Sequence, residues 1–266
     1  MSPLIALRGL TIDAGGSSLV HGLDLVLAPG RILGLVGESG SGKSLTTMSI
    51  PGLLPPGCRI AAGEILMDGQ DLSRLPEAEL RRLRGREIGV VFQDPFTSLN
   101  PVRRIGSLLE EVLKRHRPGL GTGAARNLAV EALDQVGLPD PEGKARAYPH
   151  QMSGGQRQRA LIALALANSP RLLIADEPTT ALDPTVQIEI LDLLRRSVGR
   201  TGGGAIFVTH DLGAAAYLCD DLAVMRHGRI VEQGRVEDVV LRPSHPYTIE
   251  LLAAAPRLAP APETRP

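Results

Sequence analysis

The chain has 266 residues, 29 of them Lys or Arg and 29 Asp or Glu, which cancel to no formal charge and exclude a general binder of polyanions. A chain of this length buries roughly 70% of its extended surface without help from cross-links. Its two cysteines, Cys58 and Cys219, are too few for a disulfide framework or a multi-cysteine metal cluster, and they read as isolated buried or half-buried thiols.

The opening residues 1–8 carry neither a charged leader nor a sustained apolar run, so no export signal is expected. Residues 5–12 and 19–27 read as strands, the second alternating through Leu23, Leu25 and Leu27. Pro29-Gly30 turns the chain into residues 31–36, a short apolar run of the buried-strand type. That run ends in a glycine-rich loop at 37–44, and residues 45–50 continue as a helix until Pro51-Gly52. From 101 to 169 the apolar residues keep helical spacing: Ile105, Leu108, Leu109, Val112 and Leu113, then Leu128, Leu133 and Val136, then Ile162, Leu164 and Leu166. A glycine-rich stretch at 116–123 separates two of these helices. Residues 172–175 and 205–209 are two further buried strands, each followed by polar residues. Strand, glycine loop and helix, then apolar strands ending in Asp or His, predict an α/β core with its site at the C-terminal ends of the strands. A mainly helical insert interrupts that core. Beyond Pro256 there is almost nothing to bury, and a disordered tail over 257–266 is expected. No window holds the roughly 18 consecutive apolar residues of a membrane span, so the expectation is a soluble intracellular protein.

Gly37, Glu38, Ser39, Gly40, Ser41, Gly42, Lys43 and Ser44 follow the pattern Gly-x-x-x-x-Gly-Lys-Ser, after a strand and before a helix. Glycines let such a loop curl until its backbone N–H groups point inward at phosphates, and the next helix adds its unpaired N–H groups and positive dipole end. Lys43 then reaches the β- and γ-phosphates, and the Ser44 hydroxyl ligates Mg²⁺. The bland alternative is a flexible Gly/Ser loop. A lysine at the required place, in a chain whose lysines are Lys43, Lys114 and Lys144, speaks against it.

Asp176 closes an apolar run at a place where it can hold Mg²⁺ through water, and Glu177 is placed to orient or deprotonate the attacking water. Two adjacent carboxylates at a strand end could instead cap the next helix, a reading that Pro178 and the Thr179-Thr180 pair keep open. Gln93 and His210 also fall where strands should end. Gln93 could touch Mg²⁺ or the water through its amide, and His210 could donate toward the γ-phosphate. Taken alone, either is equally an ordinary surface residue.

Five blocks together resemble the ATPase subunit of an ABC transporter over about residues 4–250. Besides the phosphate loop, Ser153-Gly-Gly-Gln156 resembles the family's signature, Ala181-Leu-Asp183 its D-loop, Gln93 its Q-loop and His210 its switch histidine. The resemblance implies an α/β P-loop NTPase (RecA-like) core with an antiparallel β subdomain and an inserted helical subdomain. It implies one ATPase domain over 1–256, with the core at about 1–95 and 160–256 and the helical subdomain at about 96–159. ATP and Mg²⁺ are the implied cofactors. The ion falls to Ser44, Gln93 and Asp176, and catalysis to Glu177, His210 and Gln93. Ser153, Gly154, Gly155, Gln156 and Asp183 would contact nucleotide across a head-to-tail pair of ATPase subunits.

The residues at 37–44 and 91–101 and His245-Pro-Tyr-Thr248 resemble the dipeptide, oligopeptide and nickel importers more narrowly. The chain is short beside the larger peptide-importer subunits and has no counterpart to their cysteine cluster. Leu19-Val-His-Gly22 looks more like the nickel-importer D-type subunit, so peptide and nickel both stand as cargo. The implied partners are two transmembrane permease subunits, a second ATPase subunit (self or paralogue) and, indirectly, a periplasmic or extracellular binding protein. The implied location is peripheral, at the cytoplasmic face of the inner membrane, with no nucleic acid bound.

One departure stands out. The family stacks adenine on a ring near residues 12–16, but Ile12-Asp-Ala-Gly-Gly16 has none, which forgoes stacking worth roughly 1–3 kcal/mol. An aliphatic such as Ile12 is left to cover the base. Arg81, Arg82, Arg84 and Arg86 interleave with Glu77, Glu79 and Glu87 and read as a solvated helix face rather than a nucleic-acid patch. A soluble ABC-type ATPase of ribosomes or DNA repair would usually fuse two ATPase halves or carry a coiled-coil insert. A non-hydrolysing subunit would not need Lys43, Asp176, Glu177 and His210 together.

Overall fold

The computed structural model describes residues 2–180 and 182–254. The chain forms two compact units: one takes the chain up to Arg74 together with the chain from Gly204, the other takes Leu75–Gly203. The expected tail, 257–266, lies outside the described residues.

In the first unit, β1 (Ile5–Ala14) and β2 (Ser17–Leu27) form an antiparallel hairpin with Ile5 opposite Leu27 and Ile12 opposite Val20. The alternation read from the sequence is real: Val20, Leu23, Leu25 and Leu27 are buried, each Leu stabilising the fold by about 2 kcal/mol. β3 (Ile32–Val36) is buried throughout, and α1 (Lys43–Ser49) starts on the lysine of the glycine loop. β4 (Cys58–Met67) pairs with the other edge of β1, and β5 (Gln70–Asp71) with β4. The order β2-β1-β4-β5 is the antiparallel sheet the resemblance implied.

The second unit opens with α2 (Glu77–Leu83), which buries no residue. Arg84, at its end, grips the Glu77 carboxylate with two hydrogen bonds of 2.6 and 2.8 Å, as a solvated charged face should. β6 (Ile88–Val91) and a short α3 (Pro95–Ser98) lead to α4 (Ile105–His116), α5 (Thr122–Gln135), α6 (Pro141–Arg146) and α7 (Gly154–Leu166). The predicted break falls between α4 and α5. The leucine stripes were only half right. Ala125 and Ala129 on α5 and Ala160 and Ala163 on α7 are fully buried, while Leu128, Leu164 and Leu166 are half-buried. Small side chains let helices approach closely, so alanine shares the inner faces with Leu133, Leu161 and Ile162. β7 (Leu172–Asp176) then runs parallel to β6, Val91 opposite Ala175, before α8 (Pro184–Thr201).

The chain then returns to the first unit through β8 (Gly204–Thr209), α9 (Leu212–Leu218), β9 (Asp221–Arg226), β10 (Arg229–Arg235), α10 (Val236–Leu241) and α11 (Pro246–Ala254). β3 lies between β8 and β9, parallel to both, and β10 is antiparallel to β9. Val36 stands opposite both Thr209 and Val224, so β3 and β8 end level while β9 runs two residues further. Cys219 is buried and Cys58 half-buried, neither of them in a disulfide. Among the described residues, no helix is long and apolar enough to cross a membrane.

Candidate active site

The glycine loop leaves β3 at Gly37, where φ is 151° and an added Cβ would overlap the Met225 carbonyl oxygen. At its other end Gly42 has φ 103°, and a Cβ there would stand 2.8 Å from Met225 Cε and 3.3 Å from Val20 Cγ2. A larger residue at Gly37 would push the loop off its bed, and at Gly42 the positive φ itself calls for glycine. Lys43 is 5% exposed, and its ammonium donates to the carbonyls of Gly37 and Glu38 at 2.8 Å each. Gly228 N–H donates to Ser41 O at 2.9 Å and pins the loop's middle to the β9–β10 turn. Two features suit an anionic ligand. Ser41 Oγ is buried without a hydrogen-bond partner among the described residues, and α1 begins on Gly42 with no side-chain cap. Hydroxyl and carboxylate oxygens of the Ser44 and Asp176 kind are the hard donors Mg²⁺ prefers.

His210 follows β8 directly and is exposed, one residue beyond the pair Val36–Thr209. Asp211 caps α9 by accepting from Gly213 N–H at 2.8 Å and Ala214 N–H at 3.1 Å, which sets the bend on which His210 sits. Ile12 does not do what the sequence suggested. It is 0% exposed, packed inside the hairpin, and so presents no face to a base. Leu19 is 39% exposed instead, and its carbonyl oxygen lies 3.5 Å from where a Cβ on Gly42 would stand.

In the second unit, parallel β6 and β7 bring Gln93 and Glu177 to the same strand ends. Gln93 Nε2 and Thr180 Oγ1 both donate to Glu177 Oε2 at 3.0 Å. Asp176, next to it, is 7% exposed. Glu177 has φ 47°, a left-handed conformation that costs a side-chain-bearing residue on the order of 1 kcal/mol. The helix-capping alternative for this acid pair falls away, because α8 is capped by Asp183, whose carboxylate accepts from Val186 N–H at 3.1 Å. Of the expected D-loop, Ala181 lies outside the described residues. Thr180 was read only as a capping partner; a hydroxyl three residues beyond an acid was the available signal for its contact with Glu177.

Ser153 is the N-cap of α7: its Oγ accepts from Gln156 N–H, and Gln156 Oε1 accepts from Ser153 N–H, each at 3.3 Å. Lys144, on α6, adds a bond to Gln156 Oε1 at 3.1 Å that the sequence did not disclose. Gly154 has open space where a Cβ would stand, whereas one on Gly155 would meet Val186 Cγ1 at 2.9 Å.

Residues 20–180 match the family model described as ABC transporter. This chain belongs to the ABC transporter family. A putative peptide import ATP-binding protein of Brucella melitensis is 50% identical over 252 residues, covering 92% of this chain and 74% of the relative. The oligopeptide transport ATP-binding protein of Bacillus subtilis is 48% identical over 260 residues, 96% of this chain and 72% of its own length. A peptidoglycan transport ATP-binding protein of Agrobacterium fabrum is 49% identical over 97% of this chain but 48% of its own length. The chain thus spans about half the length of some curated relatives it matches. Among solved structures, a dimeric ATP-binding cassette in a post-hydrolysis state bound to ADP and Pi superposes with TM-score 0.78 at 29% identity, covering 87% of this chain and 98% of that one. A cassette from Clostridium perfringens, part of an ABC transporter complex, gives TM-score 0.78 at 28% identity over 91% of this chain and 92% of its own. The fold of this ABC family member is therefore the P-loop ATPase core.

Proposed function

We propose that this chain is the ATP-binding and hydrolysing subunit of an ABC importer of peptides. The observation that carries the reading is the glycine loop: a buried lysine ammonium held at the mouth of a backbone cradle with no room for a side chain at Gly37. Gly37 to Ser44 bind the phosphates, Lys43 neutralises them, and Glu177 handles the attacking water with its carboxylate aimed by Gln93 and Thr180. Ser44 is assigned to Mg²⁺, as are Asp176 and Gln93, and the ion supplies charge neutralisation at the phosphates when bound. His210 donates toward the γ-phosphate. Ser153 to Gln156 and Asp183 act on the nucleotide held by a second ATPase subunit. The names of the relatives favour peptides over nickel as cargo. Two permease subunits and a binding protein complete the assembly, with this subunit peripheral at the cytoplasmic face.

The test is reconstitution with a permease pair and its binding protein. ATP hydrolysis should rise with peptide-loaded binding protein, not with the Ni²⁺-loaded form, and should vanish in Lys43→Ala. A Lys43→Ala complex that hydrolyses normally refutes the reading of the site.

A further inference from the structure

The segment 245–248 has no role in the mechanism above, yet its tyrosine reaches the phosphate loop. Tyr247 is 1% exposed, and its hydroxyl oxygen accepts a hydrogen bond from Glu38 N–H at 3.1 Å, across 209 positions of sequence. The carbonyl of that same Glu38 receives the Lys43 ammonium at 2.8 Å. One residue of the loop is therefore held at its N–H by Tyr247 while its carbonyl holds the lysine. The tyrosine is itself tightly seated. The Arg226 guanidinium lies over its ring at 4.4 Å, and its own N–H donates to His245 Nδ1 at 3.2 Å. Arg226 sits between Met225, whose carbonyl backs Gly37, and the turn whose Gly228 N–H grips Ser41. Ring, guanidinium and loop form one contiguous stack.

We infer that Tyr247 is a positioning residue for the phosphate site, acting through the Glu38 peptide to fix where the Lys43 ammonium stands. A buried tyrosine needs a partner for its hydroxyl, and a peptide N–H facing a buried ring needs an acceptor; each meets the other's need. With the hydroxyl removed, the Gly37–Glu38 peptide is free to rotate, and the Gly37 carbonyl on that same plane, which also accepts from the Lys43 ammonium at 2.8 Å, loses its fixed position. The fault then lies at the phosphates and not at the base. The inference rests on the proposed nucleotide reading of the loop.

The experiment compares wild type, Tyr247→Phe and Lys43→Ala by titration with MgATP and MgGTP and by thermal melting. Phenylalanine keeps the ring under Arg226 but leaves the Glu38 N–H without its acceptor, so the Tyr247→Phe melting temperature should fall by no more than about 2–4 °C. Its affinity for both nucleotides should fall by the same factor, about fivefold, the equivalent of ~1 kcal/mol. Wild-type affinity in Tyr247→Phe, with Lys43→Ala impaired, overturns the inference and leaves the nucleotide reading standing. A melting temperature lowered well beyond that, or a weakening that differs between ATP and GTP, also overturns it, as a packing or base effect. Lys43→Ala binding as well as wild type overturns the nucleotide reading, and the inference with it.

Discussion

Glu232, on β10, offers the best-defined electrostatic test in the molecule. Its carboxylate accepts from Ser244 N–H at 2.8 Å, Ser244 Oγ at 2.9 Å and His245 N–H at 3.1 Å, holding the approach to α11. Burial opposes its ionisation, but the nearby Thr248 hydroxyl and the hydrogen bonds from Ser244 and His245 outweigh that and hold its carboxyl down at about 2, against an ordinary 4.5. A carboxylate whose pKa is depressed by folding stabilises the native state fully above its unfolded value. That contribution is lost as pH falls from about 4.5 through about 2. At ~1.4 kcal/mol for each tenfold change in proton affinity, the ceiling is about 3 kcal/mol; partial solvent access lowers it to ~1 kcal/mol. Glu232→Gln should then lower the melting temperature by about 2–4 °C near neutral pH. The gap from wild type should close on acidification, because the wild-type carboxylate protonates while the amide does not change. Thermal melts of both proteins down the acid limb measure this. A gap that is absent near neutrality, or that stays constant down to about pH 3, would refute the role given to the charge.

Gly37→Ala should cost at least ~1–3 kcal/mol of stability and abolish MgATP binding, because the added methyl group meets the Met225 carbonyl; titration and melting check both. Glu177→Gln keeps an acceptor for Gln93 and Thr180 but loses the base, so MgATP binding should persist while turnover falls at least ~100-fold in a single-turnover assay. Ser153→Arg should block closure of a paired site without touching binding to Gly37–Ser44. In mixtures with Lys43→Ala, one composite site carries both lesions and one neither, so activity should return with mixed dimers. Mixed dimers that form and stay inactive would place Ser153 in cis or require both sites to fire together.

Much of this was legible where side-chain chemistry is local. β3, β7 and β8 are short apolar runs that end in the polar residues of the site, and the 37–44 loop carries its geometry in its glycines. β4 was not legible because Arg59, Ala61, Ala62 and Gly63 on it are exposed, leaving no clean alternation. The faces of α5 and α7 were only partly legible because Ala125, Ala129, Ala160 and Ala163 share the packing there with Leu133, Leu161 and Ile162. Ile12 was offered to the base because hydropathy cannot tell which face of a hairpin turns inward, and β1 turns it to the core. The contact of Tyr247 with Glu38 joins residues far apart in sequence, and nothing in either neighbourhood announces the other.

The path of the chain bears on how this protein is made. β3 has β8 and β9 on its two edges, and both belong to the chain after Gly204. A ribosome adding ~5–20 residues per second leaves β3 without either neighbour for roughly ten seconds or more. During that interval an apolar strand has both edges open to foreign pairing, the kind of exposure that chaperones cover. The β1–β2–β4 sheet needs nothing from the late chain for its own pairings. The phosphate loop does, because Met225 and Gly228 supply the bed beneath Gly37 and the bond to Ser41. Synthesis therefore seats the phosphate loop last, and a half-made chain has no finished pocket with which to capture cellular nucleotide.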